Sequence, residues 1–235
     1  MSTTRTGKAK PSRTKERAKP RYHHGDLRAA LVRASVELIA RDGVESLSLR
    51  EAAREAGVSS AAPYHHFATK ADLLAAIAAD GFVALEASMR EAIAGLEDPE
   101  APSPRLQALG RAYVRFAREH PIEFRLMFRG STSARSPLPK GCDPSASFGL
   151  LVDAVERVAE TLPPNTIEPQ ALVLTAWSLV HGAAELVLEG PLATAEGSIT
   201  IADEQVGATV VSTLGRLLDF ALVSKHGARH GRSTT

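Results

Sequence analysis

Apolar residues recur at steps of three and four along most of the chain, and capping residues and glycines bound each run. "DLRAALVRASVELIARDG" (26–43) puts Leu27, Leu31, Ala34 and Leu38 on one stripe, edged by Ala30 and Ile39, and Gly43 ends it. Ser48 then opens "SLREAAREAG", with Glu51 three residues on as a capping box, and Gly57 stops the segment after two turns. In "VSSAAPYHHF" Ser59 is the expected N-cap of a short helix over 59–66. Thr69, with Asp72, caps a far longer run, "KADLLAAIAADGFVALEASMREAI". A short helix, a glycine-containing turn and a second short helix make the pattern of a helix-turn-helix.

Helical periodicity continues downstream. "PRLQALGRAYVRFAREH" sets Leu106, Leu109, Tyr113 and Phe116 on one face, and "PIEFRLMFRG" begins with Pro121 at an N1-like position. Residues 131–147 are rich in Ser, Pro and Gly and read as a loop. "FGLLVDAVERVAETL" (148–162) is amphipathic, 168–190 is apolar nearly all round, and 203–224 is the last helical run. No strand alternation is visible. The expected fold is therefore all-α: a three-helix head over 22–75, a helical body over 76–225, and tails at 1–21 and 226–235.

Charge divides the chain in the same place. Residues 1–75 carry 14 Lys/Arg against 8 Asp/Glu, whereas 76–235 carry 14 against 19, so a net +1 hides a basic front half and an acidic remainder. The front half is suited to a polyanion. Residues 1–21 hold eight Lys/Arg and one acid, Glu16, and read either as a solubilising tail or as an arm that lies on DNA. One cysteine, Cys142, rules out an intramolecular disulfide and suggests an intracellular protein. The apolar stretch 171–180 is about half of a bilayer span, and no signal peptide is visible, so a cytoplasmic protein with no membrane partner is expected.

The conspicuous chemistry is "APYHHFATKADLL" (62–74). Neighbouring helical side chains diverge by about 100°, so His65 and His66 cannot converge on one ion as an i, i+4 pair does. Neither a metal, a cofactor nor a nucleophile–base pair is indicated, and an enzyme is not expected. Imidazole, phenol and ammonium groups do, however, all donate to phosphate oxygens. The bland reading is an exposed polar helix end with Phe67 packed inward.

At these residues the chain resembles the TetR/AcrR family of bacterial transcriptional regulators. The likeness runs from Asp26 to Leu74, through "ELIARDGVESLSLREAAREAGVS", "PYHHF" and "KADLL", with Pro63 where the family usually has leucine. "AWSLVHG", with Trp177, His181 and Gly182, is similar to the Trp-His-Gly signature of one C-terminal subgroup. The resemblance implies a homodimer held by its last two helices, a small-molecule effector in the C-terminal body, and double-stranded operator DNA with twofold symmetry. It places Ser59, Ser60, Ala61 and Ala62 against the major groove, with Arg50 and His65 sharing base readout and Ser48, Tyr64, His66 and Lys70 on phosphates. It makes Tyr113, Phe116, Phe124, Met127, Phe128, Phe148, Trp177 and His181 candidates for a hydrophobic pocket, each of which could equally be plain core. A buried helix within one chain is the alternative to the dimer. A helical adaptor without specific DNA binding is the alternative to the regulator.

Overall fold

The computed structural model describes residues 24–128, 137–163, 167–189, 192–193, 200–201, 205, 208–213 and 215–216. Seven α-helices are delineated: α1 (His24–Asp42), α2 (Leu49–Glu55), α3 (Lys70–Ala94), α4 (Pro102–Glu119), α5 (Pro121–Phe128), α6 (Ala146–Thr161) and α7 (Pro169–Glu189). Short 3-10 turns occupy Val44–Ser46 and Ala62–His65. Residues 208–213 are helical too, and Leu192–Ala193 pairs antiparallel with Thr200–Ile201, a ladder too short to leave an alternation in the sequence. The tails at 1–21 and 226–235, and Val206, Leu214, Leu217, Leu218 and Phe220 of the last run, lie outside the described residues.

The helix ends follow from local chemistry. Gly43 leaves α1 at φ 81° while its N–H still reaches the Ile39 carbonyl at 2.9 Å. Thr69 and Asp72 close a complete capping box: Thr69 Oγ1 accepts the Asp72 N–H at 3.1 Å and the Asp72 carboxylate accepts the Thr69 N–H at 2.9 Å. At α2 the box is half built. Ser48 Oγ accepts the Glu51 N–H at 3.1 Å, but the Glu51 carboxylate turns to Arg54 instead.

Two cores form, and α3 belongs to both. Leu31, Leu38, Leu47, Leu49, Ala52 and Phe67 pack with Leu73, Ala76 and Ile77 of α3 in the head. One residue further on, Ala78 joins the larger core of α4, α6 and α7, as do Leu85, Met89 and Ile93. The short α5 also faces both ways. Phe124 and Met127 are buried in the larger core, while Ile122 and Leu126 pack against the head. Where α5 crosses α3, a Cβ on Gly81 would stand 2.8 Å from Met127 Sδ, so glycine is what lets the two helices touch.

Helix α7 is apolar on two opposite sides. Leu172, Ala176, Val180, Ala183 and Val187 are buried, and Leu174, Leu179 and Leu186 remain 61%, 41% and 38% exposed. This helix is long and apolar enough to cross a bilayer by length and composition alone, contrary to the shorter stretch counted in the sequence. Its inner face packs against α4 and α6.

Candidate nucleic-acid interface and ligand cavity

The expected recognition helix over 59–66 is a 3-10 turn. Ser59 is not a side-chain cap; its carbonyl accepts the Ala62 N–H at 3.0 Å, and the segment begins at Ala62 without any capping side chain. Pro63 is the reason. Its ring fixes φ and removes an N–H, which is tolerated in a first turn but not deep in an α-helix. Pro63 is fully buried, and its carbonyl receives the N–H groups of both His66 and Phe67 at 2.9 Å. Gly57, at φ 67°, makes the sharp turn out of α2, and Val58 N–H closes it on the Ala53 carbonyl at 2.9 Å.

This geometry sorts the candidate DNA contacts. Arg50, Ser59, Ser60, Ala61, Tyr64 and His65 are exposed on α2 and the reading turn, and Tyr64 is 52% exposed. Ala62 is half-buried. Ser48 is half-buried and its oxygen is engaged in capping. His66 is also half-buried, and its Nε2 is enclosed without a hydrogen-bond partner. Lys70 leans back to donate to the Glu45 carbonyl at 3.3 Å, bracing the loop ahead of α2.

The head's own charge is nearly balanced. Residues 22–75 carry 6 Lys/Arg against 7 Asp/Glu, so the surplus of the front half comes from 1–21. Arg41 is paired with Asp42 and Glu55, and Arg54 with Glu51, which raises both guanidinium pKa values through the hydrogen bonds they make. Arg50 is in no ion pair among the described residues.

An apolar cavity that opens to solvent, with about 780 Å³ of empty space when its open mouth is included, lies between α4, α6, α7 and residues 210, 211 and 215. Leu106, Gln107, Gly110 and Tyr113 give it one wall, Phe148 and Leu151 a second, Ala176, Trp177 and Val180 a third, and Met89, Phe128 and Val211 complete it. No charged side chain lines it among the described residues. Tyr113, Phe128, Phe148 and Trp177, four of the eight candidates, border the cavity. The other four do not border it: Phe116 stacks on His120 at 4.8 Å, Phe124 meets Tyr113 edge-on at 5.5 Å, Met127 fills the space at Gly81, and His181 stacks on Trp177 at 5.3 Å. Sequence reasoning favoured aromatics and missed Leu106, Gln107 and Gly110, although these share one face of α4 with Tyr113 at three- and four-residue steps.

His181 is held in a ring sandwich, with Trp177 at 5.3 Å on one side and Phe124 at 5.6 Å on the other. Its Nδ1 is 2.8 Å from the Tyr113 hydroxyl, and its Nε2 faces Glu185 at 3.9 Å. The carboxylate favours a proton on Nε2, which leaves Nδ1 to accept from Tyr113. Burial first, then Glu185, pushes the Tyr113 pKa far above its usual value, so the phenol stays protonated. The Tyr113 hydroxyl and His181 Nδ1 are thereby spent on each other rather than on the cavity. No group of three or more His, Cys, Asp or Glu able to hold a metal occurs among the described residues.

Comparison with known proteins agrees in both halves. Residues 31–77 match the family model described as "Bacterial regulatory proteins, tetR family", and residues 106–220 match "Tetracyclin repressor-like, C-terminal domain", a description that carries no Trp-His-Gly subgroup. An HTH-type nicotine-responsive transcriptional repressor of Paenarthrobacter nicotinovorans is 40% identical over 84 residues, which is 36% of this chain and 43% of that protein. A solved protein of unknown function from Rhodococcus sp. RHA1 is 32% identical, with a TM-score of 0.65 over 84% of this chain and 98% of its own. A tetR-family regulatory protein from Rhodococcus RHA1 shares the fold at 22% identity, with a TM-score of 0.59 over 82% and 96% of the two chains. With a helix-turn-helix head and a helical C-terminal body each matched by its own model, the chain belongs to the tetR family of bacterial regulatory proteins.

Proposed function

We propose that two copies of this chain bind a palindromic operator as a transcriptional repressor, and that a small uncharged apolar effector releases them. Residues 22–75 are the reading head, 76–225 sense and pair, and the work is regulatory rather than enzymatic, done in the cytoplasm. The observation that carries this reading is the placement of an apolar cavity in the larger core, with Phe128 at the end of α5 on its wall and Ile122 and Leu126 of the same helix against the head. An occupant that displaces Phe128 acts on a helix the head already rests on. Homodimerisation is supported by the exposed leucines of α7.

In the bound form Ser60 and Ala61 face bases, with Arg50 and His65 at the edges of the groove and Tyr64 on the backbone. Ser59 stands near the groove entrance. Ser48, His66 and Lys70 serve mainly to hold the head's shape. An effector coupling of about 1–3 kcal/mol would lower operator affinity by roughly 5–150-fold, enough for a switch.

Selection of bound fragments from random duplex DNA, followed by footprinting, tests the proposal. The expected product is an inverted repeat whose half-sites lie about one helical turn, or a few base pairs more, apart. Weak, salt-sensitive binding with no symmetric site would favour the adaptor reading instead.

A further inference from the structure

The effector cavity has a neighbour. An outer groove runs between α6 and the first half of α7, floored by Val152, Val173 and Leu174, with Glu156 and Gln170 as its polar members. Phe148 and Trp177 border both spaces. Their rings meet edge to face, with centroids 6.4 Å apart and planes at 90°. These two rings are therefore the partition between the groove and the cavity.

The two sides of the partition are not equally fixed. Trp177 is stacked on His181, which the Tyr113 hydroxyl holds from Nδ1. Phe148 is in the first turn of α6, which Ser145 precedes without any side-chain capping bond. The ring is 44% exposed even though it walls the cavity, and at the next residue, Gly149, a Cβ would meet nothing within 4 Å. One ring is a fixed post and the other has room to turn outward.

We propose that the outer groove is the vestibule of the effector cavity, with Phe148 the gate that swings against Trp177 and admits uncharged apolar molecules. The proposal rests on the effector-cavity reading above and adds the route and its selectivity. The chemistry of the two spaces agrees. A molecule entering the groove passes the Glu156 carboxylate, which repels anions, and then a lining with no charged side chain to receive one.

Trp177 is the only tryptophan of the chain, so energy transfer from it to a bound dye reports on this spot. The probe is the neutral dye N-phenyl-1-naphthylamine, mixed with full-length protein in a stopped-flow fluorimeter. Truncating a gate lowers the barrier in both directions, so F148A raises the association and dissociation rates together, about tenfold or more, while Kd moves less than about threefold. V152F narrows the vestibule and slows entry, an independent check should F148A fold poorly. E156Q speeds association of the anionic analogue 1-anilinonaphthalene-8-sulfonate and leaves the neutral dye unchanged. A faster dissociation with an unchanged association rate in F148A would make Phe148 a plain wall and overturn the gate while the cavity stands. If wild-type protein gives no transfer from Trp177 at all, the cavity reading fails and the gate with it.

Discussion

Gly182 offers the sharpest test of the dimer. It lies mid-helix on the exposed side of α7, between Leu179 and Leu186, and a Cβ there would meet nothing within 4 Å inside one chain. For a monomer the residue is only a liability, since an interior helical glycine is about 0.8–1.0 kcal/mol less favourable than alanine and arginine ranks close to alanine. Gly182→Arg should therefore stabilise the isolated chain by roughly 0.5–1 kcal/mol. In a dimer the sign reverses. Leu179 and Leu186 are 41% and 38% exposed. Full burial of a leucine is worth about 1.5–3 kcal/mol, so covering these two on both protomers returns about 2–4 kcal/mol per dimer. Helix axes in contact lie about 8–10 Å apart, a spacing an arginine at the centre of the contact does not allow. Forfeiting about 2–4 kcal/mol weakens association by roughly 30- to 1,000-fold. Sedimentation velocity across a concentration series reads the association, and urea unfolding at low concentration reads the chain. A Gly182→Arg protein that stays dimeric at wild-type strength would refute the assignment of this face. One that unfolds more easily as a monomer would show that the open space around Gly182 is not open.

Three other perturbations test separate parts of the account. Tyr113→Phe removes the hydroxyl that His181 Nδ1 meets at 2.8 Å and should cost about 1–3 kcal/mol in urea unfolding; a loss under about 0.5 kcal/mol would mean that this bond does not stabilise the core. Gly81→Ala drives a methyl to 2.8 Å from Met127 Sδ, and overpacking of that kind costs about 1–3 kcal/mol. Adding Met127→Ala should leave the double variant less destabilised than the sum of the two single ones, and strict additivity would show that α3 and α5 do not press on each other there. Deleting residues 2–21 removes eight Lys/Arg and one acid from a head whose remaining charge is nearly balanced. Because each neutralised phosphate contributes about 0.9 to the slope of log K against log salt, the truncated protein should bind operator with a flatter salt dependence, and an unchanged slope would exclude the arm from the complex.

What the sequence made legible was mostly local. Gly43, Gly57, Ser48 and the Thr69–Asp72 pair act through bonds spanning at most four residues, so their roles follow from spacing alone. The reading turn was misjudged for an equally local reason. An α-helix was expected from Ser59, whereas the residues around Pro63 form a 3-10 turn over Ala62–His65 that closes with i→i+3 and i→i+4 bonds from His66 and Phe67 to the Pro63 carbonyl. The cavity could not be found this way, because Phe116 and Tyr113 have the same helical spacing and are both buried, yet only Tyr113 borders empty space. Helix α7 read as apolar all round, and only the fold divides that surface into a face spent on α4 and α6 and a face left open.

The form of the reading turn limits how an effector can act on it. A 3-10 turn of four residues has little hydrogen bonding of its own, but this one is pinned at both ends of its chemistry: Pro63 is fully buried, and Phe67, 4% exposed, is part of the head core. The same core includes Leu73, Ala76 and Ile77 of α3, so the turn, α2 and the start of α3 move as one packed body. Arg28 of α1 also reaches Asp80 of α3 at 3.3 Å, tying a further helix to that body from its exposed side. Melting the turn would mean opening the head core, whereas tilting the head needs only a change where α3 leaves it. Past Ile77, α3 meets α5 at Gly81 and Phe82 meets Phe128 at 5.9 Å, with Phe128 on the cavity wall. On the proposed function, an occupant of the cavity would act by changing the angle at which an intact head is carried, and affinity would be lost because two rigid heads no longer match one duplex rather than because either head is undone.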